Sequence, residues 1–195
     1  MDKLKNKVVL ITGAGKGIGC RLAEELAAKG MIIAANDISP INVEEVVNGI
    51  RAKGGQAKAY LEDVAKKVGA QMILKSVEDD FGTVDILINH AAVEPHTPLL
   101  NMDEWDWHRV LDVNLTGAFL MSQTAGRVMR EKGSGVILNL VAGAGEKEKE
   151  AGAFLSSKAG LAELSHQLAR ELNPHGVKVF AVSNFEEALK ALEEA

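Results

Sequence analysis

Val8-Val9-Leu10-Ile11 runs directly into Thr12-Gly13-Ala14-Gly15-Lys16-Gly17-Ile18-Gly19, and a helical pattern follows at once, from Gly17 to about Lys29. The first segment is apolar throughout, as expected of a strand covered on both faces. Glycines let the backbone turn sharply and approach a pyrophosphate, whose charge suits the helix N-terminus. The spacing is not that of a P-loop, because Lys16 is followed by Gly17 rather than Ser or Thr. Gly-x-Gly-x-x-Gly does not fit either, since Ile18 stands where its last glycine would be. A turn of this kind also serves as an ordinary tight βα connection. A second feature narrows the reading. Asp37 closes the next apolar segment 18 residues beyond Gly19, near the ~20-residue offset at which an acid binds an adenosine ribose. The other reading of Asp37 is a turn acid ahead of Ser39-Pro40.

Working outward, apolar runs at 31–35, 57–61, 84–88, 136–140 and 177–182 join 8–11 as six strands. Helical periodicity fills 43–52, 65–81, 102–131 and 153–172, and Asn173-Pro174-His175-Gly176 is a helix stop. Strand-helix alternation implies right-handed parallel crossovers, hence a three-layer, doubly wound α/β sheet. The 195 residues, 47% of them apolar, suffice for one domain with a real core, which excludes intrinsic disorder. A formal net charge of −5 argues against a nucleic-acid footprint, and no apolar run approaches the ~18 residues of a membrane span. The start of the chain, Met1 to Lys7, does not read as a signal peptide. Cys20 stands alone, so no internal disulfide or thiolate cluster is expected, and the five histidines show no metal spacing. These features predict a soluble, cytoplasmic chain without a metal site.

The order and spacing of further residues resemble the short-chain dehydrogenase/reductase family over about residues 4 to 183. Thr12-Gly13-x-x-x-Gly17-x-Gly19 matches that family's coenzyme motif. Asp63-Val64 matches its adenine-contacting pair, though Asp63 is also suited to capping the next helix. Asn89-His90-Ala91-Ala92 stands where the family has Asn-Asn-Ala-Gly, keeping only the first and third positions. Asn114 matches its helix-interrupting catalytic Asn. The resemblance implies a Rossmann fold and a coenzyme site built from Gly13, Lys16, Gly17, Ile18, Gly19, Asp37, Ile38, Asp63, Val64, Asn89, Ala91 and Lys158. Asp37 suits NAD, because a carboxylate accepts the ribose hydroxyls and repels a 2′-phosphate. Lys16 is a counter-signal. The resemblance further implies a homodimer through the helices at 102–131 and 153–172.

The chemistry of the family requires a Tyr as general acid/base, a Lys four residues later and a Ser some 12 to 13 residues before the Tyr. Lys158 fits the Lys, but the Tyr position is Phe154 and the Ser position is Ala142 or Val141. Phenylalanine keeps the ring and loses the proton, so it packs but cannot relay. Loss of a positioned acid costs ~10²–10⁴ in rate. The expectation is therefore a NAD-binding protein with degenerate catalysis. Two alternatives stand beside it: an active alcohol/carbonyl oxidoreductase using a non-standard acid, with Glu150 and His90 as candidate neighbours, and a scaffold with no nucleotide function. Lys158 itself reads either as a ribose contact or as a surface helix lysine. Cys20 reads as a thiol lowered by a helix start or as a small buried residue, and Trp105 and Trp107 as packing or interface residues. Glu146-Lys147-Glu148-Lys149-Glu150 reads as a solvated run. After Val182, Asn184 is a helix cap and Phe185, Ala188, Leu189 and Leu192 form an apolar stripe. This final helix stands where the family has a substrate segment and a seventh strand, and it is expected to cover the edge of the sixth. That tail, the Glu-Lys run and the missing hydroxyls together suggest an engineered or truncated chain.

Overall fold

A computed structural model describes residues 4–141 and 150–195. Ala142 and the charged run as far as Lys149 lie outside the described residues. The elements in order are β1 (Val8–Thr12), α1 (Gly17–Ala28), β2 (Ile32–Asn36), α2 (Pro40–Ala52), β3 (Gln56–Tyr60), α3 (Lys67–Phe81), β4 (Ile86–Asn89), α4 (Glu104–Leu111), a π-helical turn (Asp112–Gly117), α5 (Ala118–Lys132), β5 (Gly135–Leu140), α6 (Gly152–Leu172), β6 (Val177–Val182) and α7 (Phe185–Glu194). The six strands form one sheet in the order β3-β2-β1-β4-β5-β6, with every pairing parallel. The chain winds outward from β1 to β3 and then returns to place β4 on the other side of β1. That reversal opens a crevice at the carboxyl ends of β1 and β4, where ligands bind in sheets of this kind.

Alternation along the strands explains the three layers. Val9 and Ile11 of β1 join α1, α2 and α7 in one buried cluster, while Val8 and Leu10 join α3, α5 and α6 in the other. Leu22 and Leu26 of α1 are fully buried, each contributing about 1.5–3 kcal/mol of hydrophobic stabilisation.

Several boundaries differ from the sequence reading for local reasons. β4 begins at Ile86 because the Asp85 carboxylate accepts the Val8 N–H at 2.9 Å and ties the strand start to β1. α2 begins at Pro40, where proline's fixed φ suits the first helical position and the Ser39 hydroxyl caps the Asn42 N–H. α3 starts only at Lys67 because the Asp63 carboxylate accepts the Ala65 N–H at 3.0 Å in a local turn. The single helix expected over 102–131 is three segments: Asp103 caps α4, and Asp112–Gly117 is a π-helical turn that aims Asn114 inward. In α7, Asn184 accepts the Glu187 N–H at 2.8 Å, and Glu187 in return accepts the Ser183 N–H at 2.8 Å. The helix packs by Ala188, Ala191 and Leu192 onto the sheet face beside α1, with the Arg21 guanidinium 4.3 Å from the Phe185 ring centroid. It lies on the sheet face that carries α1 and against β6, whose Lys178 Nζ donates to the Glu194 and Ala195 carbonyls at 3.0 and 2.8 Å.

Candidate functional site

The turn after β1 is held from below. The Thr12 hydroxyl accepts the N–H groups of His90 and Ala91 at 3.1 and 3.2 Å, joining the end of β1 to the segment that leaves β4. Gly13 has φ +66°, and a Cβ there would sit 2.7 Å from the Ala91 Cα, so glycine is required twice over. At Gly19, inside the first turn of α1, a Cβ would meet the Gly13 carbonyl oxygen and His90 Nδ1, each at 2.6 Å. The glycine spacing thus lets the helix start lie directly on the turn and on the His90 ring.

Asp37 follows β2 and is 8% exposed. One carboxylate oxygen accepts the Gly15 N–H at 2.9 Å and the other accepts the Ser39 N–H at 2.9 Å. Each oxygen keeps a further lone pair for a hydroxyl donor. The turn reading of Asp37 is realised, because its carboxylate caps its own turn and fixes the glycine loop; the same side chain lines the cleft.

That cleft has a volume of about 890 Å³. It is lined from one end by Gly13, Lys16, Asp37 and Ile38, across the middle by Asp63 and Val64, and on the other side by His90 and Ala91. Trp105 and Arg109 of α4 form part of its far wall, with the Arg109 guanidinium 5.4 Å from the Trp105 ring centroid. Gly17, Ile18 and Gly19 form the first turn of α1, and Ile18 packs against the core rather than lining the cleft. The size, the glycine cradle and the buried carboxylate at the second strand all fit a dinucleotide.

Asn89, Asn114 and Lys158 lie behind the cleft in a buried polar network. Asn89 and Asn139 face each other across β4 and β5, with Asn89 Nδ2 donating to Asn139 Oδ1 at 2.8 Å and to Ser122 Oγ at 2.9 Å. Asn139 Nδ2 donates onward to Ser165 Oγ at 2.8 Å. Asn114 brackets Val93, accepting its N–H at 2.8 Å and donating to its carbonyl at 3.0 Å. Its Nδ2 also donates to Ser157 Oγ at 3.1 Å. The π-helical turn frees the local ladder enough for this side chain to reach across.

Lys158 is 5% exposed, so it is not a surface helix lysine. Its Nζ donates to the Leu140 carbonyl at 2.7 Å and lies 5.5 Å from the Phe154 ring centroid. Burial pulls its pKa down to about 8, with Glu94 acting in the opposite sense. Phe154 is itself buried and offers that ammonium a ring face without a hydroxyl. Ala142 lies outside the described residues. Val141, the other candidate Ser position, follows β5, its N–H donating to Val182.

Three features escaped the sequence reading or went against it. Ser157 is fully buried between Asn114 and the Phe154 carbonyl, to which its hydroxyl donates at 2.6 Å. Its place three residues after Phe154 concealed that role, which a search for buried small hydroxyls near Lys158 would have raised. Trp105, 68% exposed, lines the cleft, a place that its reading as a packing or interface residue did not include. Cys20 does not have a thiol lowered by the helix start: burial pushes its pKa up, and Glu24 adds to that.

No helix among the described residues is long and apolar enough to cross a membrane, and no group of three metal-ligating side chains occurs among them. Residues 7–184 match the family of short chain dehydrogenases. The chain is 36% identical over 179 residues to the short-chain reductase protein NovJ of Streptomyces niveus, covering 92% of this chain and 68% of that protein. It also superposes on a NAD⁺-bound xylitol dehydrogenase with a TM-score of 0.88 and 33% identity, over 93% of this chain and 70% of the other. A metagenomic short-chain oxidoreductase in complex with NADP gives a TM-score of 0.86 and 29% identity, over 92% and 82% of the two chains. With the sheet order, the glycine turn and these matches in agreement, the chain belongs to the short-chain dehydrogenase/reductase family.

Proposed function

We propose that this chain is a NAD(H)-binding member of its family whose oxidoreductase chemistry is degenerate. The observation that carries the reading is Phe154: a buried ring without a hydroxyl sits beside Lys158, where the family requires a proton donor. A nicotinamide dinucleotide supplies hydride-transfer chemistry when bound. Gly13 and Lys16, with the backbone N–H groups of Gly17, Ile18 and Gly19 at the start of α1, would hold its pyrophosphate, Asp37 and Ile38 the adenosine ribose, Asp63 and Val64 the adenine, and Ala91 the nicotinamide half, backed by Asn89 and Lys158 buried behind the cleft. Asp37 favours NAD, because its carboxylate opposes a 2′-phosphate and accepts free hydroxyls. Asn114 holds Val93 and Ser157 in place, but no hydroxyl beside Lys158 at position 154 completes a relay to a substrate oxygen.

One observation favours a second reading. With its pKa near 8, Lys158 has a proton of suitable acidity for general acid catalysis, which would make the chain an active NAD-dependent alcohol/carbonyl oxidoreductase with a non-standard acid. NADH oxidation across a panel of ketones and aldehydes separates the two. Rates near background, raised only to traces by Ala142→Ser with Phe154→Tyr, support the degenerate reading. Robust turnover abolished by Lys158→Ala overturns it. For assembly we propose a homodimer through 102–131 and 153–172. Phe119 and Leu155 support this, remaining more than a third exposed on those helices, whereas Leu161 turns into the core. A cytoplasmic location is part of the same proposal.

A further inference from the structure

His90 stands where the family pattern has a second asparagine, and it is the one histidine packed against the glycine turn. Its ring lies beneath that turn, with Nδ1 3.0 Å from the Gly13 carbonyl oxygen. A carbonyl only accepts, so Nδ1 carries the proton, and in the neutral ring Nε2 is a bare acceptor. Nε2 has no hydrogen-bond partner among the described residues and faces the Gly17 side of the turn, 3.8 Å from where a Gly17 Cβ would lie. The ring also lines the cleft.

The charges around the cleft leave work for such a group. Its lining residues include four carboxylates, Asp37, Glu62, Asp63 and Asp112, against the fixed cations Lys16, Lys66 and Arg109. Lys66 is in turn 3.8 Å from Asp63. A pyrophosphate therefore meets no surplus of permanent positive charge there. Backbone donors of the turn and the start of α1 serve an anion, and a neutral Nε2 facing the same region would present it with a lone pair.

We propose that His90 is a pyrophosphate-binding residue of this chain, gaining a proton at Nε2 when the dinucleotide enters and donating that hydrogen to the phosphate while Nδ1 stays on Gly13. The proton comes from solvent and returns to it on release. This inference rests on reading the cleft as a dinucleotide site. The charged groups that act on the ring are Asp37 at the end of β2 and Lys158 of α6, with Lys16 of the turn sharing the cleft wall. In the free protein burial holds the imidazole below its usual pKa, and Lys158 pushes the same way, while the Gly13 bond and Asp37 oppose them. A bound anion favours the charged ring, so the pKa in the complex is higher than in the free protein. Protons are taken up between the two values, and affinity rises as pH falls through the bound value, levelling off below the free one. The gain is about tenfold for each pH unit separating them.

The test is calorimetric titration of the full chain with NAD⁺ between pH 5.5 and 8, in buffers of different ionisation enthalpy. The expected result is net proton uptake near neutrality and tighter binding at the acid end. His90→Asn, which still offers a donor to the Gly13 carbonyl, should lose the proton uptake, and its NAD⁺ affinity should no longer rise as pH falls. His90→Gln provides a second check should the first variant fold poorly, and the imidazole nitrogen resonances of the unmodified protein report the same protonation without mutation. NAD⁺ binding with no proton uptake, or uptake that persists in His90→Asn, overturns the assignment while leaving the dinucleotide site intact. No NAD⁺ binding at any pH overturns both.

Discussion

Asn114→Ala should destabilise the fold far more than removal of an ordinary helix residue. The side chain is 1% exposed and makes one acceptor and two donor bonds, bracketing Val93 and reaching Ser157. Alanine leaves the Val93 N–H and C=O without partners in a half-buried segment. It also removes the amide that Ser157 accepts from, though that hydroxyl still donates to Phe154. Each orphaned backbone group costs about 1–3 kcal/mol if water cannot replace the partner, and water reaches a half-buried segment in part. The sum is about 2–4 kcal/mol, which for a chain of this length is a fall in melting temperature of about 5–12 °C. Since Ala91, Ala92 and Val93 line the cleft, the variant should also bind NAD⁺ more weakly without losing any cleft-lining atom. Asn114→Asp keeps the acceptor but turns a charge toward the Val93 carbonyl, so it should melt no higher than the alanine variant. Scanning calorimetry and NAD⁺ titration read both effects. A melting temperature within about 2 °C of the parent would show that the Asn114 bracket does not hold the segment.

Lys158 gives a pH signature. Its folded pKa is about 8 against an ordinary 10.5, so between those values the unfolded chain holds a proton that the folded one has released. Stability should then rise with pH across that window, by up to about 3 kcal/mol. Lys158→Met should flatten the rise, and melting curves at pH 7 to 10 that match the parent's would contradict it. Leu192→Ala, at a side chain 1% exposed between α7 and the sheet, should cost about 2–5 kcal/mol in denaturant unfolding; a change below about 0.5 kcal/mol would mean that α7 is not docked. Asp37→Ser with Ile38→Arg should narrow or reverse a preference for NAD over NADP in parallel titrations, and equal affinities in the parent would show that Asp37 does not face the ribose. Light scattering should give a dimer, with Leu189→Asp promoting aggregation; a stable tetramer, or a monomer that tolerates the change, would refute that assembly.

The layered sheet was legible because apolar strands and amphipathic helices alternate with periods that admit one architecture. The glycine turn and the position of Asp37 after β2 were legible because both depend on local spacing. What could not be read locally was tertiary. The π-helical turn at Asp112–Gly117 gives no periodic signal of its own, since Asn114 is drawn inward by Val93 and Ser157, distant in sequence. The burial of Lys158 depends on the Leu140 carbonyl and on Phe154. The resting place of α7 depended on α1 and β6, which only the assembled sheet brings side by side. His90 was visible as a departure from the family pattern, but its bond to Gly13 required the fold.

The central claim, a dinucleotide site retained beside a relay that has lost its hydroxyl, is tested most directly by following NADH fluorescence as the coenzyme is titrated into the protein, with the carbonyl panel then added to the same cuvette. The account predicts saturable binding of one NADH per chain and a signal that stays constant after the carbonyls are added. Absence of saturable binding, or rapid loss of the NADH signal on addition of a carbonyl, would contradict it.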